Sequence, residues 1–194
     1  RSLAACDGAL LVVDAAQGIQ AQTLANVYLA MERDLTLIPI VNKIDLPAAD
    51  PGRVAGELSR TFGFTDSEII RVSAKTGEGV DDVLEAIVTY FEPPRAAETN
   101  KLRALIFDSK YDPYKGVIAY VRVADGAVKR ADRMRLMSSG KTAEILEVGY
   151  FSPTPTKADN IVSGEVGYVA TGLKNVRDCR VGDTITLETN SADE

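Results

Sequence analysis

The sequence predicts an α/β segment, the second half of a doubly wound parallel sheet, followed by an all-β barrel. Three observations carry this. Through residue 91, short apolar runs alternate with stretches of helical period. Residues 92–100 then lose all periodicity and begin Glu92-Pro93-Pro94. Beyond them the apolar runs are short and frequent, punctuated by Asp125-Gly126, Ser139-Gly140 and Val181-Gly182-Asp183, the turn chemistry of antiparallel strands. The expected organisation is a first domain over residues 1–91, a linker over 92–101, a barrel over 102–188 and a loose tail over 189–194.

Residues 9–13 form an unbroken apolar run ending at Asp14, as a parallel strand buried on both faces requires. A helix over 20–33 places Leu24, Val27, Tyr28 and Met31 on one face. Residues 35–41 make the next strand and deliver Asn42. Asp50 and Pro51 supply a cap and a first-turn proline to a helix whose inward face carries Val54, Leu58 and Phe62. Gly56 inside that helix costs about 1 kcal/mol relative to alanine. A third strand over 69–72 leads to Ser73, and a helix over 80–90 turns Val83, Leu84, Ile87 and Tyr90 inward. Residues 1–6 read as the end of a preceding helix. In the barrel, six strands are expected at 102–107, 116–123, 133–137, 142–148, 165–171 and 183–187, closed into a ring that leaves no sheet edge. Tyr111, Tyr114 and Tyr120 are expected to pack the barrel.

Two strand ends carry chemistry. Asn42-Lys43-Ile44-Asp45 follows the second apolar run and Ser73-Ala74-Lys75 the third. A carboxylate such as that of Asp45 accepts from both N1–H and the exocyclic amine of guanine, a pair of donors that adenine lacks. The Asn42 amide can reach N7 and pin the neighbouring loop. The methylenes of Lys43 and Lys75 can cover the two ring faces, and the Ala74 N–H can meet O6. An N-K-x-D string alone is as readily a surface turn; joined to S-A-K some thirty residues later, it points to a guanine nucleotide. The chain contains no G-x-x-x-x-G-K-[ST] phosphate loop, so it is expected to begin partway through a nucleotide-binding domain. Asp14 lies at a carboxyl strand edge, where ligands bind such sheets, although capping the next turn is its simpler role. Arg122, Lys129, Arg130, Arg133 and Arg135 form a basic cluster suited to RNA phosphates, or to a merely solvated face.

The net charge of −6 is unevenly spread. Residues 1–91 hold 7 Lys+Arg against 13 Asp+Glu, and residues 92–194 hold 15 of each, which supports a domain boundary between them. There is no histidine, so no imidazole of this segment takes part in catalysis. No apolar stretch approaches the ~20 residues of a membrane-spanning helix. Cys6 and Cys179 follow no C-x-x-C pattern and read as reduced thiols of a cytoplasmic protein, with no metal cluster.

With these features the chain resembles the translational GTPases, and within them the LepA or elongation factor 4 group. The resemblance rests on L-V-V-D-A-A-Q-G-I-Q-A-Q-T at 11–23, V-N-K-I-D-L-P-A-A-D-P at 41–51 and S-A-K-T-G at 73–77. In the barrel it rests on A-L-I-F-D-S-K-Y-D at 104–112, Gly116-Val117, G-E-V-G-Y at 164–168 and V-G-D-T-I at 181–185. The chain departs from the group in having Ala131 where such barrels usually place glycine, and in lacking the phosphate loop and both switches. The resemblance implies the carboxyl half of a P-loop GTPase domain plus a translation-factor-type barrel. It implies GTP or GDP bound through Asn42, Lys43, Ile44, Asp45, Ser73, Ala74 and Lys75, with Mg²⁺ held by residues outside this chain. The parent protein is then a GTPase that remodels the ribosome or its tRNAs during protein synthesis, while this fragment alone is inactive. It is expected to be monomeric and cytoplasmic, with peripheral membrane association attributed to the group. Lys129, Arg130, Arg133 and Arg135 would meet ribosomal RNA. The competing expectation is a non-catalytic ribosome-binding or regulatory module that retains a GTPase-like half domain.

Overall fold

The computed structural model describes residues 2–94 and 98–192, which form two compact units, one spanning Cys6–Pro93 and the other the remaining residues. The expected linker positions 95–97, residue 1 and tail positions 193–194 lie outside the described residues.

The first unit runs β1 (Gly8–Asp14), α1 (Ala21–Met31), β2 (Thr36–Asn42), α2 (Pro51–Phe62), β3 (Ile70–Arg71) and α3 (Val80–Tyr90), with a parallel sheet ordered β1-β2-β3. Leu11, Val13 and Val41 pack with Val27 of α1 and Val54 and Leu58 of α2. Ile38, Ile40 and Val72 pack on the opposite face with Ala86, Val83 and Ile87 of α3. The start of α2 is as the sequence predicts: Asp50 accepts from the Arg53 N–H at 3.0 Å and Pro51 occupies the first helical position, where a missing N–H costs nothing. Pro39 is tolerated inside β2 because it is paired only with Leu11, β3 beginning opposite Ile40.

β1 is not buried on both faces. Leu10 and Val12, in register with the covered Ile38 and Ile40, are 39% and 53% exposed, because α3 covers β2 and β3 but does not reach their side of β1. Tyr28 and Met31 of α1, and Leu84 and Tyr90 of α3, also face solvent rather than the core. Each helix rests on a narrow sheet and buries a narrower stripe than its apolar period offers. Residues 2–5 form a short 3₁₀ turn grouped with the second unit, not a helix end leading into β1.

Among its described residues the second unit contains ten strands where the sequence suggested six. They are β4 (Arg103–Asp112), β5 (Gly116–Asp125), β6 (Ala127–Lys129), β7 (Arg133–Leu136), β8 (Thr142–Glu144), β9 (Glu147–Ser152), β10 (Thr154–Ala158), β11 (Asn160–Val162), β12 (Val166–Ala170) and β13 (Thr184–Leu187). Eight of them form one antiparallel sheet ordered β10-β9-β12-β5-β4-β13-β7-β8, and β11 pairs with β6. The sheet curls around a core that includes Ile106, Val121, Met134, Leu136, Val169 and Ile185, and a smaller cluster of Ile118, Tyr168 and Ala170 lies apart from it. It is barrel-like rather than a hydrogen-bonded ring, since β10 and β8 remain as edges. β10 was hidden in the sequence by Pro155, a residue that an edge strand such as β10 accommodates. The chain end is not loose as far as it is described: the Ala192 N–H donates to Thr186 Oγ1 at 2.9 Å, and Ala192 is buried.

Of the three tyrosines expected in the packing, Tyr111 and Tyr114 face solvent, Tyr114 at 94%. Tyr120 lies in a file of rings with Phe107, Phe151 and Tyr168, at centroid spacings of 6.3, 5.2 and 5.6 Å along the file. Tyr168 donates to Glu147 at 2.9 Å, and Lys115 and Lys157 reach the same carboxylate at 2.6 and 3.0 Å. Burial pushes Glu147 up, but these three donors outweigh it and hold the carboxyl down at about 2. Burial and the Glu147 charge raise the Tyr168 phenol to about 12. Neither cysteine forms a disulfide, and burial pushes the Cys179 thiol up to about 12.

Candidate functional site

The carboxyl ends of the three parallel strands meet side by side, with Asp14 in register with Asn42 and Val41 with Arg71. Lys43 breaks β2 by adopting a left-handed φ of 68°, a conformation that costs an L-residue of order 1–2 kcal/mol. The turn is held because the Lys43 N–H donates to Asn42 Oδ1 at 2.7 Å and the Ile44 N–H to the Val72 carbonyl at 3.3 Å. Across from it, the loop after β3 closes on itself: Ser73 N–H donates to the Glu78 carbonyl at 2.9 Å and Gly77 N–H to the Ser73 carbonyl at 2.8 Å. Gly79 completes the loop at φ +71°, where a Cβ would lie 2.3 Å from the Arg71 carbonyl oxygen. Only glycine fits there.

The two loops touch through their polar side chains. Ser73 Oγ donates to Asp45 Oδ1 at 2.7 Å, and the Ala74 N–H donates to Asn42 Oδ1 at 3.1 Å. Thus Asn42, Asp45, Ser73 and Ala74, distant in sequence, form one hydrogen-bonded cluster over the buried Ser73, with Lys43 and Lys75 exposed on its two loops. Asp45 is exposed and its Oδ2 takes no hydrogen bond among the described residues, which leaves carboxylate acceptor capacity of the kind two adjacent guanine donors require. The Ala74 N–H, expected to meet a base oxygen, is committed to Asn42. A backbone donor finds the nearest acceptor, so a base O6 would have to share that N–H.

Asp14 caps the turn after β1, as the sequence reading expects, and also reaches the second loop. Its Oδ2 lies 2.8 Å from Lys43 Nζ, while its Oδ1 accepts from the Ala16 and Gln17 N–H groups at 2.8 and 3.1 Å. The Lys43 hydrogen bond and the two backbone donors hold the Asp14 carboxyl below its ordinary value, and Asp14 in turn raises the Lys43 ammonium. The spacing gave no sign of this pairing, which exists because β1 and β2 run parallel and end in register.

A cleft of about 400 Å³ lined by Thr36, Ile38, Ser67, Glu68, Asp82 and Glu85 runs along β2, β3 and α3 and includes no residue of the two loops. No group of three or more cysteine, aspartate or glutamate side chains placed to hold a metal ion gathers among the described residues.

The basic cluster is only partly assembled. Arg133 and Arg135 share the outward face of β7, but Arg133 is paired with Glu188 at 2.5 Å. Lys129 and Arg130 flank the turn in which the Lys129 N–H donates to Asp132 Oδ2 at 2.9 Å, and Arg130 lines a hollow with Lys157, Glu147 and Asp159. Ala131 in that turn has a left-handed φ of 66°, the conformation for which glycine is the usual residue.

A parallel α/β unit followed by an antiparallel β unit is the architecture of translation-factor GTPases. The elongation factor Tu GTP binding domain family matches residues 1–93, and elongation factor Tu domain 2 matches residues 116–186. Translation elongation factor SelB from Methanococcus maripaludis in its apo form superimposes with a TM-score of 0.74 at 23% identity, over 97% of this chain and 40% of its own. A bacterial selenocysteine-specific elongation factor gives 0.70 at 20% identity, over 96% of this chain and 32% of its own. Within that class the chain belongs to the elongation factor 4 family. It is 59% identical to elongation factor 4 of Thermobifida fusca over 96% of its length, and 56% identical to that of Listeria welshimeri over all of it. It spans only 30% and 32% of those relatives.

Proposed function

We propose that this chain is the base-reading half of the GTP-binding domain, together with the second domain, of a GTPase that acts on the ribosome during protein synthesis. The observation that carries the reading is the joining of the two loops by the Ser73–Asp45 and Ala74–Asn42 hydrogen bonds in a chain of this family. Asp45 reads the guanine edge, Asn42 and Ala74 address N7 and O6, and the Lys43 and Lys75 stems cover the ring. Leu10 and Val12, left exposed beside their covered register partners, support a further part of the domain packing against β1. That part would supply the phosphate loop, the switches and the Mg²⁺ ligands, so the segment alone is inactive.

The parent would be a cytoplasmic, monomeric enzyme whose ribosomal partners include RNA and tRNA. Lys129, Arg130 and Arg135 are its proposed RNA-phosphate contacts, with Arg133 already neutralised by Glu188. No helix among the described residues is long and apolar enough to cross a membrane.

The test is Asp45→Asn in the full-length parent. The carboxamide N–H₂ would face a donor on guanine but the C2 carbonyl of xanthine, so discrimination should reverse. Competition of GTP and XTP for ribosome-stimulated turnover reads the change. An unreversed GTP preference would show that Asp45 does not read the base, and a parent that binds ribosomes without any turnover would establish the non-catalytic module instead.

A further inference from the structure

Three features outside the base-reading loops stand out: the aromatic file of the β unit, the cleft along β2, β3 and α3, and the contact between Asp14 and Lys43. Nothing in the structure says what would cover the first two. The third is different, because it ties a residue belonging to neither loop directly to one that does.

We infer that Asp14 is a positioning residue for the base pocket: its carboxylate clamps Lys43 and thereby sets the turn that presents Asn42 and Asp45. The inference rests on the guanine-reading function proposed above. Four observations converge on it. Lys43 is a non-glycine residue in the left-handed region, so its turn persists only where surrounding contacts over-determine it. Its ammonium meets Asp14 Oδ2 at 2.8 Å, and the Asp14 side chain is 17% exposed while that of Lys43 is 54% exposed, a half-exposed ion pair whose attraction salt can screen. Asp14 is itself held by the Ala16 and Gln17 N–H groups.

The turn that holds Asp14 is anchored in its own right. Ala15 N–H donates to the Asn42 carbonyl at 2.8 Å, Asp50 N–H donates to the Ala15 carbonyl at 2.9 Å, and Arg53 of α2 reaches the Ala16 carbonyl at 3.0 Å. The clamp is therefore attached to β2 and α2 rather than to a loop that moves with Lys43. When the clamp is lost the Lys43 stem samples other directions. Apparent affinity then falls by the fraction of molecules in which the ring-covering arrangement is present.

Asp14→Asn separates the two jobs of the carboxylate, since Oδ1 can still accept from Ala16 and Gln17 while the charge facing Lys43 is gone. In the full-length parent we expect the dissociation constant for fluorescently labelled GDP to rise about three- to fivefold at low salt. The difference from wild type should shrink towards onefold at high ionic strength, where a half-exposed charge pair is screened. A loss due to a misfolded turn would persist at every salt concentration. The same fold-loss should appear for the xanthine diphosphate in an Asp14→Asn, Asp45→Asn double variant, because Lys43 covers the ring whichever edge is read. If Asp45→Asn switches the base but Asp14→Asn leaves affinity unchanged, or lowers it independently of salt, the clamp is overturned while the pocket stands. If Asp45→Asn produces no switch, the pocket itself is wrong.

Discussion

Ser73 Oγ donates to Asp45 Oδ1 across 2.7 Å, joining residues 28 apart in the chain. Ser73 is fully buried, and the same hydroxyl accepts the Thr76 N–H at 3.2 Å. One small side chain thus holds the carboxylate proposed to read the base and closes the loop on which it sits.

Ser73→Ala should weaken guanine-nucleotide binding by the parent about five- to tenfold, corresponding to a charge-assisted hydrogen bond worth about 1–1.5 kcal/mol. Equilibrium titration with a fluorescent GDP analogue measures it. Wild-type affinity in the variant would remove Ser73 from the pocket.

Ala131→Gly should stabilise the β unit. Ala131 sits at φ 66°, so removing its Cβ relieves strain of order 1–2 kcal/mol at an entropic cost of about 0.4–1 kcal/mol in the unfolded chain. A net gain of roughly 0.5–1 kcal/mol is expected in denaturant unfolding, and a loss would mean the turn already accommodates the methyl group.

Glu147→Gln should destabilise by about 1–3 kcal/mol at neutral pH, because Lys115 and Lys157 lose the carboxylate between them. The wild-type carboxyl titrates at about 2, below its ordinary 4.5. Its stabilising contribution is therefore complete above pH 4.5 and is lost as the pH falls towards 2. Tyr168, raised from 10 to about 12, contributes below pH 10 and loses that contribution as the pH rises through 12. Urea unfolding of wild type and variant at pH 7, 4 and 3 should show the gap closing on acidification; a constant gap would assign it to packing.

Replacing Lys129, Arg130 and Arg135 with alanine should reduce the salt dependence of ribosome binding by the parent. Each lost RNA phosphate contact lowers the slope of log affinity against log salt by roughly 0.7–0.9. Arg133→Ala should leave the slope nearly unchanged, because Glu188 already compensates that charge. Equal effects of Arg133 and Arg135 would show that the Glu188 pair opens on binding.

By itself the sequence determined what neighbouring residues decide. The Asp50-Pro51 start of α2, the loss of period at residue 92 and the two polar strings at strand ends are local signals, read from caps, prolines and periods within one turn of helix or one strand. Tertiary structure decided whatever depends on a second element. Leu10 and Val12 look like core in the sequence and are exposed, since burial needs a covering layer and not only an apolar side chain. β10 and β11 exist because β9 and β6 offer them ladders. Arg133 belongs to a basic string yet is cancelled by Glu188, 55 positions away. Asp14 reads as an ordinary cap until the register of two parallel strands sets it 2.8 Å from Lys43. Periodicity reports how a segment could pack, whereas contact, charge compensation and clamping are pair properties that arise only when the chain brings the partners together.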